Sequence, residues 1–271
     1  MYAMKLKHQT VLRLLAVILM TAGLFGGVSR AFALSGSGTQ EDPYKITSED
    51  DWRDFCYQVN FENEYSWAVL TTDITVNVDT PTDLNVKMAG RPIQESSGTH
   101  YKYFKGNFDG HGHTLEFRLN MNIDGQTKAF GQYMAPFSRA SGATIRNLKV
   151  TGSINIPHRG GYGSDDQYMF AGGIVGYAGD KTVIHNCISN VTIQSNIYGE
   201  GSHGGIVGFV NINSRIAITD CSFTGKLLGS DISRCGGLVG AGKNSSTANV
   251  SNCLFAPEEI TMSTQRAATF S

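Results

Sequence analysis

Gly172-Gly173-Ile174-Val175-Gly176 returns as Gly204-Gly205-Ile206-Val207-Gly208 and again as Gly236-Gly237-Leu238-Val239-Gly240, each copy 32 residues after the last. A second signature runs in phase with it: Ile184-His185-Asn186-Cys187, Ile218-Thr219-Asp220-Cys221 and Val250-Ser251-Asn252-Cys253, preceded by a weaker copy at Ile145-Arg146-Asn147-Leu148. A fixed period of this length marks units that cannot bury an apolar face alone and stack on their neighbours to do so.

Within a unit the residues read as three short extended stretches separated by bends: the Gly-Gly-Ile-Val-Gly-Tyr segment, Thr182 to Asn186, and Cys187 to Gln194. Strand side chains alternate with period 2, so a bend at Asn186 lets Ile184, Cys187, Ser189, Val191 and Ile193 all face inward. The same frame gives Ile145, Leu148, Val150 and Ile154 in the earlier unit, and Ile218, Cys221, Phe223 and Leu227 in the later one. Asn and Asp tolerate the left-handed conformation that such a corner requires. The outward positions Arg146, His185, Thr219 and Ser251 are polar. Three strands per unit, with no helical period, predict an all-β chain: a right-handed parallel β-helix, or solenoid, of about five coils. A propeller blade needs about 40–45 residues, and the regular leucine spacing of a leucine-rich repeat is missing. The glycine pair is expected to turn the chain with positive φ and to let stacked backbones approach closely. As a phosphate loop it lacks the Lys and the following helix.

Outside the repeats, Ser48 stands as a helix N-cap before Glu49, Asp50 and Asp51. Trp52, Phe55, Cys56 and Val59 then fall on one face. Residues 43 to 61 are therefore expected to form a short N-terminal capping helix that closes the open end of the solenoid. A strand pattern follows at Trp67 to Val78. Thr80 to Gly98 reads as a polar loop, and a glycine-rich turn then leads into an alternating strand from Thr114 to Asn120. At the extreme N-terminus Lys5, Lys7 and Arg13 precede the apolar Leu14 to Val28 and an Ala31-Phe32-Ala33 cleavage site, the pattern of a signal peptide. An uncleaved anchor is the alternative, but the apolar stretch is short for a span of about 20 residues. The expected organisation is a signal peptide (1–33), a cap with the first coils (34–129), repeat coils (130–260) and a tail (261–271). Export to the cell surface or medium is the expected localisation, with no membrane insertion after cleavage.

Cleavage would remove four of the 22 basic side chains and none of the 23 acidic ones, leaving a net charge near −5. With no Lys/Arg cluster left to track a phosphate backbone, nucleic acid is not an expected partner. Five cysteines (Cys56, Cys187, Cys221, Cys235 and Cys253) are an odd number, so they do not make a complete disulfide framework. Cys187, Cys221 and Cys253 are expected to form an inward ladder of free thiols. No metal site and no cofactor are expected: His111 and His113 alone supply too few ligands and fit a turn better.

The segment Phe104-Lys105-Gly106-Asn107-Phe108-Asp109-Gly110-His111-Gly112-His113-Thr114-Leu115, the upstream Pro92-Ile93, the three Gly-Gly units and the Asn-Cys signatures resemble the GLUG-type repeats of bacterial surface proteins, repeats also found beside IgA-protease-type metallopeptidases. The opening Gly38-Thr39, Asp42-Pro43-Tyr44 and Ile46 fit the same pattern, so the resemblance runs from about residue 36 to 256. It implies a secreted or wall-associated, adhesin-like β-helix and carries over no catalytic residue. Residues 130–137 depart from it, since the glycine pair is lost there, and no sorting motif or HExxH is present. The chain is expected to be either a small free secreted protein or a repeat fragment of a larger surface protein or peptidase.

Function is therefore expected to be non-catalytic binding or adhesion, with a glycan or a host or matrix protein as partner. A carbohydrate-active β-helix enzyme, lyase or hydrolase, is the alternative, because the fold hosts such chemistry elsewhere. Glycoside hydrolysis needs two facing carboxylates, and neither a paired nor a clustered set recurs on one strand face. Counting from the bend residue to the next Gly-Gly gives 25, 18 and 16 residues in successive units, so length variation concentrates before the glycine corner. Insertions on one edge of a repeat array often mark the binding face. The longest insertion carries His158, Arg159, Tyr162, Asp165, Asp166 and Tyr168, a set suited to sugar stacking and hydrogen bonding, and these are the candidate binding residues.

Overall fold

The bend residues adopt the left-handed conformation that the repeat demands: φ is 52° at Asn147, 50° at Asn186, 55° at Asp220 and 53° at Asn252. The structure, a computed structural model, describes residues 34–95, 98–120, 133–156, 169–195, 199–229, 232–262 and 264–267. The six candidate binding residues between 158 and 168 lie outside them.

Strands leading into the bends stack as a seven-stranded parallel sheet, here the pre-bend sheet. It comprises Tyr44–Ile46, Trp67–Leu70, Asn107–Asp109, Thr144–Arg146, Val183–His185, Arg215–Thr219 and Thr247–Ser251. Strands leaving the bends form the post-bend sheet: Ile74–Val78, Thr114–Asn120, Lys149–Ile156 and Ile188–Ser195, then the interrupted pairs Ser222–Phe223 with Lys226–Gly229 and Leu254–Phe255 with Glu259–Ile260. Two further parallel sheets flank the glycines. Tyr133–Met134, Phe170–Gly172, Gly199–Gly204, Ile232–Gly236 and Thr264–Ala267 precede them, and Phe137–Ala140, Val175–Ala178, Val207–Val210 and Val239–Gly242 follow. The sheets wrap into an all-β solenoid of about three turns with little helix.

Each repeat unit thus contributes four strand segments rather than three. The expected single Gly-Gly-Ile-Val-Gly-Tyr strand is broken at Gly173-Ile174, and the cause is close approach rather than positive φ. Neither Gly172 nor Gly173 has a positive φ. A Cβ on Gly172 would lie 2.0 Å from the Val175 carbonyl oxygen and 2.6 Å from the Gly208 nitrogen, and one on Gly173 would lie 2.0 Å from Ser189 Oγ. No side chain fits where the chain folds onto itself and onto the next coil. A further left-handed corner, between the post-glycine and pre-bend sheets, is built from Gly142 (φ 69°), Lys181 (58°), Asn213 (56°) and Ser245 (59°).

Inward positions keep the expected alternation. Ile145, Val150 and Ile154, Ile184, Cys187 and Val191, and Ile218, Phe223 and Leu227 are all fully buried. The bend side chains form a hydrogen-bonded ladder, Asn186 Nδ2 donating to Asn147 Oδ1 (2.8 Å) and Asn147 Nδ2 to Asp109 Oδ1 (2.9 Å). The thiols of Cys187, Cys221 and Cys253 are free, and the Cys187 and Cys221 amides each donate to the next sulfur at 3.4 Å.

The helix Glu49–Tyr57 begins at Ser48, whose side chain accepts from the Asp51 amide. Trp52, Phe55, Cys56 and Val59 are fully buried. Trp52 meets Phe108 and Phe137 edge-on, each at 5.7 Å, and its indole N–H donates to the Lys87 carbonyl (2.8 Å). The segment read as a polar loop from Thr80 instead contains a second helix, Pro81–Val86, and an antiparallel ribbon of Pro92–Glu95 with Gly98–Tyr101. Thr80 and Asp83 make a capping box around Pro81 that starts this helix. The fully buried Asn60 fastens the segment down. Its Nδ2 donates to the Asn85 and Met88 carbonyls, and its Oδ1 accepts from the Gly90 and Arg91 amides.

Candidate functional site

Segments 121–132, 157–168, 196–198 and 230–231 each lead from a post-bend strand to a pre-glycine strand of the same two sheets. The candidate residues from His158 to Tyr168 fall within the second of these connections, outside the described residues. The chain re-enters the fold at Met169 and Phe170.

Phe170 opens onto a second apolar cluster, separate from the main core. Parallel register stacks Arg139, Tyr177, Phe209 and Ala241 in one column of the post-glycine sheet, and Tyr133 and Phe170 in a column of the pre-glycine sheet. Phe170, Tyr177 and Phe209 are buried there, with Tyr103, Tyr133 and Ala241 packed on them. Tyr133 stacks on Phe170 at 5.3 Å, Phe170 meets Phe209 at 4.6 Å, and Tyr177 lies 4.8 Å from Tyr133.

At one end of this row the Arg139 guanidinium sits 4.4–4.8 Å from the ring centres of Tyr101, Tyr103, Tyr133 and Tyr177. Arg139 is 4% exposed and its Nη2 donates to the Tyr103 hydroxyl. Among the described residues its buried Nε has no hydrogen-bond partner, and no carboxylate pairs with it. Its counter-charge is the π-electron faces of the four rings, each contact contributing about 0.5–2 kcal/mol when desolvated. Burial raises the pKa of Tyr133 and Tyr177, so both phenols stay neutral hydrogen-bonding groups. Burial, with the neighbouring Arg139, lowers Arg91 to about 9, still cationic at neutral pH. Tyr101 remains 55% exposed, and Tyr103 and Tyr133 are half-buried. The solvent-facing part of the row is Tyr101 with the half-buried Tyr103 and Tyr133, while Arg139, Phe170, Tyr177 and Phe209 lie buried beneath.

Repeat alignment holds the one signal that would have found it. Arg139, Tyr177 and Phe209 each stand two residues after an inward Phe or Val (Phe137, Val175, Val207), whereas Tyr101 and Tyr103 enter from the ribbon with no repeat phase.

His111 (φ 52°) sits in a tight turn, and the His113 ring lies 3.3 Å from Asp73, whose pKa is lowered by hydrogen bonds from the Thr114 amide and from His113. At the bends, Arg146 pairs with Asp109 (2.9 Å) and His185 with Asp220 (3.3 Å). These groups tie successive coils together at the surface. Among the described residues, no helix is long and apolar enough to cross a membrane.

No protein-family model, no curated protein and no solved structure matches the chain.

Proposed function

We propose that this chain is a non-catalytic, exported binding or adhesion module of the GLUG-repeat kind, secreted or held at a bacterial cell surface. In this reading residues 1–33 are a cleaved signal peptide. The solenoid is right-handed, has about five coils rising about 4.8 Å each, and is capped by the helix Glu49–Tyr57. Its partner is a glycan or a host or matrix protein, held along the edge where residues 157–168 join the sheets.

The observation that carries the reading is the exposed Tyr101 with the half-buried Tyr103 and Tyr133 over Arg139, beside Phe170, which stacks on Tyr133 near the point where that segment rejoins the sheets. Aromatic faces and phenolic hydroxyls on rigid strands suit sugar rings and protein hot spots alike, because they bind with little loss of side-chain freedom. The test is a screen of glycan and matrix-protein arrays, run with reducing-end and unsaturated-product assays. Saturable binding without product, lost when 158–167 is replaced by a short Gly/Ser link, is the expected outcome. Release of product would overturn the non-catalytic reading, and unchanged binding by the shortened variant would overturn the edge.

A further inference from the structure

One inward column of the fold changes from hydrocarbon to sulfur along the stack. Immediately after each bend, Leu148, Cys187, Cys221 and Cys253 stand one above another in successive coils, fixed by the register of the strands on either side. The three thiols are free and make the same contacts. Cys187 Sγ donates to the His185 carbonyl (3.2 Å), Cys221 Sγ to the Thr219 carbonyl (3.1 Å) and Cys253 Sγ to the Ser251 carbonyl (3.2 Å). Equal contacts mean equal side-chain orientation, so the sulfurs repeat with the strand spacing of about 4.8 Å. Cys187 and Cys221 are both buried, and packing alone does not call for sulfur there, since Leu148 fills the same place one coil earlier. Each sulfur also lies beneath an amide of the preceding coil. Cys187 N–H donates to Cys221 Sγ and Cys221 N–H to Cys253 Sγ, both at 3.4 Å, and the Leu148 amide favours the thiolate of Cys187. Backbone donors aimed at sulfur stabilise its anion.

We propose that Cys187 and Cys221 bind a soft monovalent cation of the Cu(I) class as a linear S–Cu–S bridge between two coils. A bond from such an ion to a thiolate is about 2.2–2.3 Å, so a linear bridge spans about 4.5 Å, close to the strand spacing, and small side-chain rotations close it. The thiol protons leave to solvent and two S–Cu bonds form. The complex carries one negative charge, which the Leu148 and Cys187 amides face. Thiolate ligands select Cu(I). A structural Zn(II) site needs four ligands, and among the described residues no three His, Cys, Asp or Glu side chains group as a metal site. The neighbouring His185 and Asp220 are exposed at the bend and pair with each other (3.3 Å), outside the column. Burial holds the Cys187 thiol well above its ordinary value, whereas hydrogen bonds from the Cys187 thiol and amide lower Cys221. Uptake of the cation therefore releases protons.

The test is an anaerobic titration of the reduced full chain with Cu(I) against a competing Cu(I) chelator. Wild type should take up one ion per chain at its tightest site, and X-ray absorption at the copper edge should show two sulfur neighbours. Cys187→Val, which keeps an apolar side chain where Leu148 stands one coil earlier, and Cys221→Ser should each weaken binding at least about tenfold. Cys56→Ser and Cys235→Ser, which remove thiols outside the column, should leave it within about twofold. No uptake by wild type would overturn the proposal. So would binding that Cys187→Val or Cys221→Ser leaves unchanged, or an equal loss in Cys56→Ser or Cys235→Ser. Where a ladder variant loses its β signal in circular dichroism, the absorption spectrum of wild type decides: copper held by three or more atoms, or by nitrogen or oxygen, overturns the bridge.

Discussion

The first layers of the solenoid and its final coil share one inward frame but differ in what lies over it. Near the first, Trp52 packs on Phe108 and Phe137 and Phe55 on Phe108, and with Cys56 and Val59 of the same segment they lose all exposure. In the final coil Val250 and Ile260 occupy the columns of Ile218 and Leu227 and stay about half exposed. The residue types are comparable, so burial in a stacked fold depends on the neighbouring layer. Each unit draws its stability from its own strands and from the interfaces above and below, and among the described residues only Thr264–Ala267 lies over the coil of residues 232–262.

Substitution at the two regions should therefore have unequal effects. Trp52→Ala removes a large side chain from a closed environment and leaves the Lys87 carbonyl without its indole donor, so urea unfolding should show a loss of about 3–5 kcal/mol. A loss below about 1 kcal/mol there would show that the helix contributes little to the fold and would remove the contrast between the regions.

The middle of the stack supplies a pH test. His203 is fully buried in the pre-glycine sheet, neither ring nitrogen has a hydrogen-bond partner among the described residues, and burial pulls its pKa down to about 4. Between that value and the unfolded value near 6.5, the unfolded chain binds a proton that the folded chain does not. Stability is thus fully present above about pH 6.5 and falls as the pH drops toward 4, by about 3 kcal/mol in total. Chemical denaturation across that range should show the slope, and His203→Leu should flatten it. An equal slope in the variant would assign acid sensitivity to other groups.

The bends should give a smaller, graded effect. Asn186→Ala replaces a residue that tolerates φ 50° with one that does so less well and removes the hydrogen bond to Asn147, costing about 1–2 kcal/mol, whereas Asn186→Gly should recover most of it. Thermal melts of the two variants check this, and equal losses would mean that the side-chain ladder matters more than the backbone conformation. The smallest change is expected in the final coil. Val250→Ala at a half-exposed site should cost under about 1 kcal/mol in dilute protein, and a loss as large as that of Trp52→Ala would erase the comparison.

The sequence by itself determined the period, the parallel stacking, the inward columns and the left-handed bends. These follow from local rules repeated in phase: alternation decides which side chains face inward, and Asn or Asp marks each bend because few other residues accept its φ. The amphipathic helix after Ser48 was legible for the same reason. The helix at Pro81 carried a readable capping box in Thr80 and Asp83, but its six residues are too short for a periodic apolar face.

Tertiary structure alone decided the rest. The corner through Gly142, Lys181, Asn213 and Ser245 has no common residue type, because an exposed turn constrains only the backbone. The break at Gly173-Ile174 arises from the backbone of the next coil, which no single unit contains. The sequence showed the segment from His158 to Tyr168 only as a length irregularity between repeats, and it did not show the aromatic row at all. Its members run from Tyr101 to Phe209: parallel register sets Tyr177 beside Arg139, Tyr133 comes from the adjoining pre-glycine sheet, and the ribbon segment brings Tyr101 and Tyr103. A repeat encodes its own strands locally, whereas what stands above a side chain in the stack depends on coils about 32 residues away.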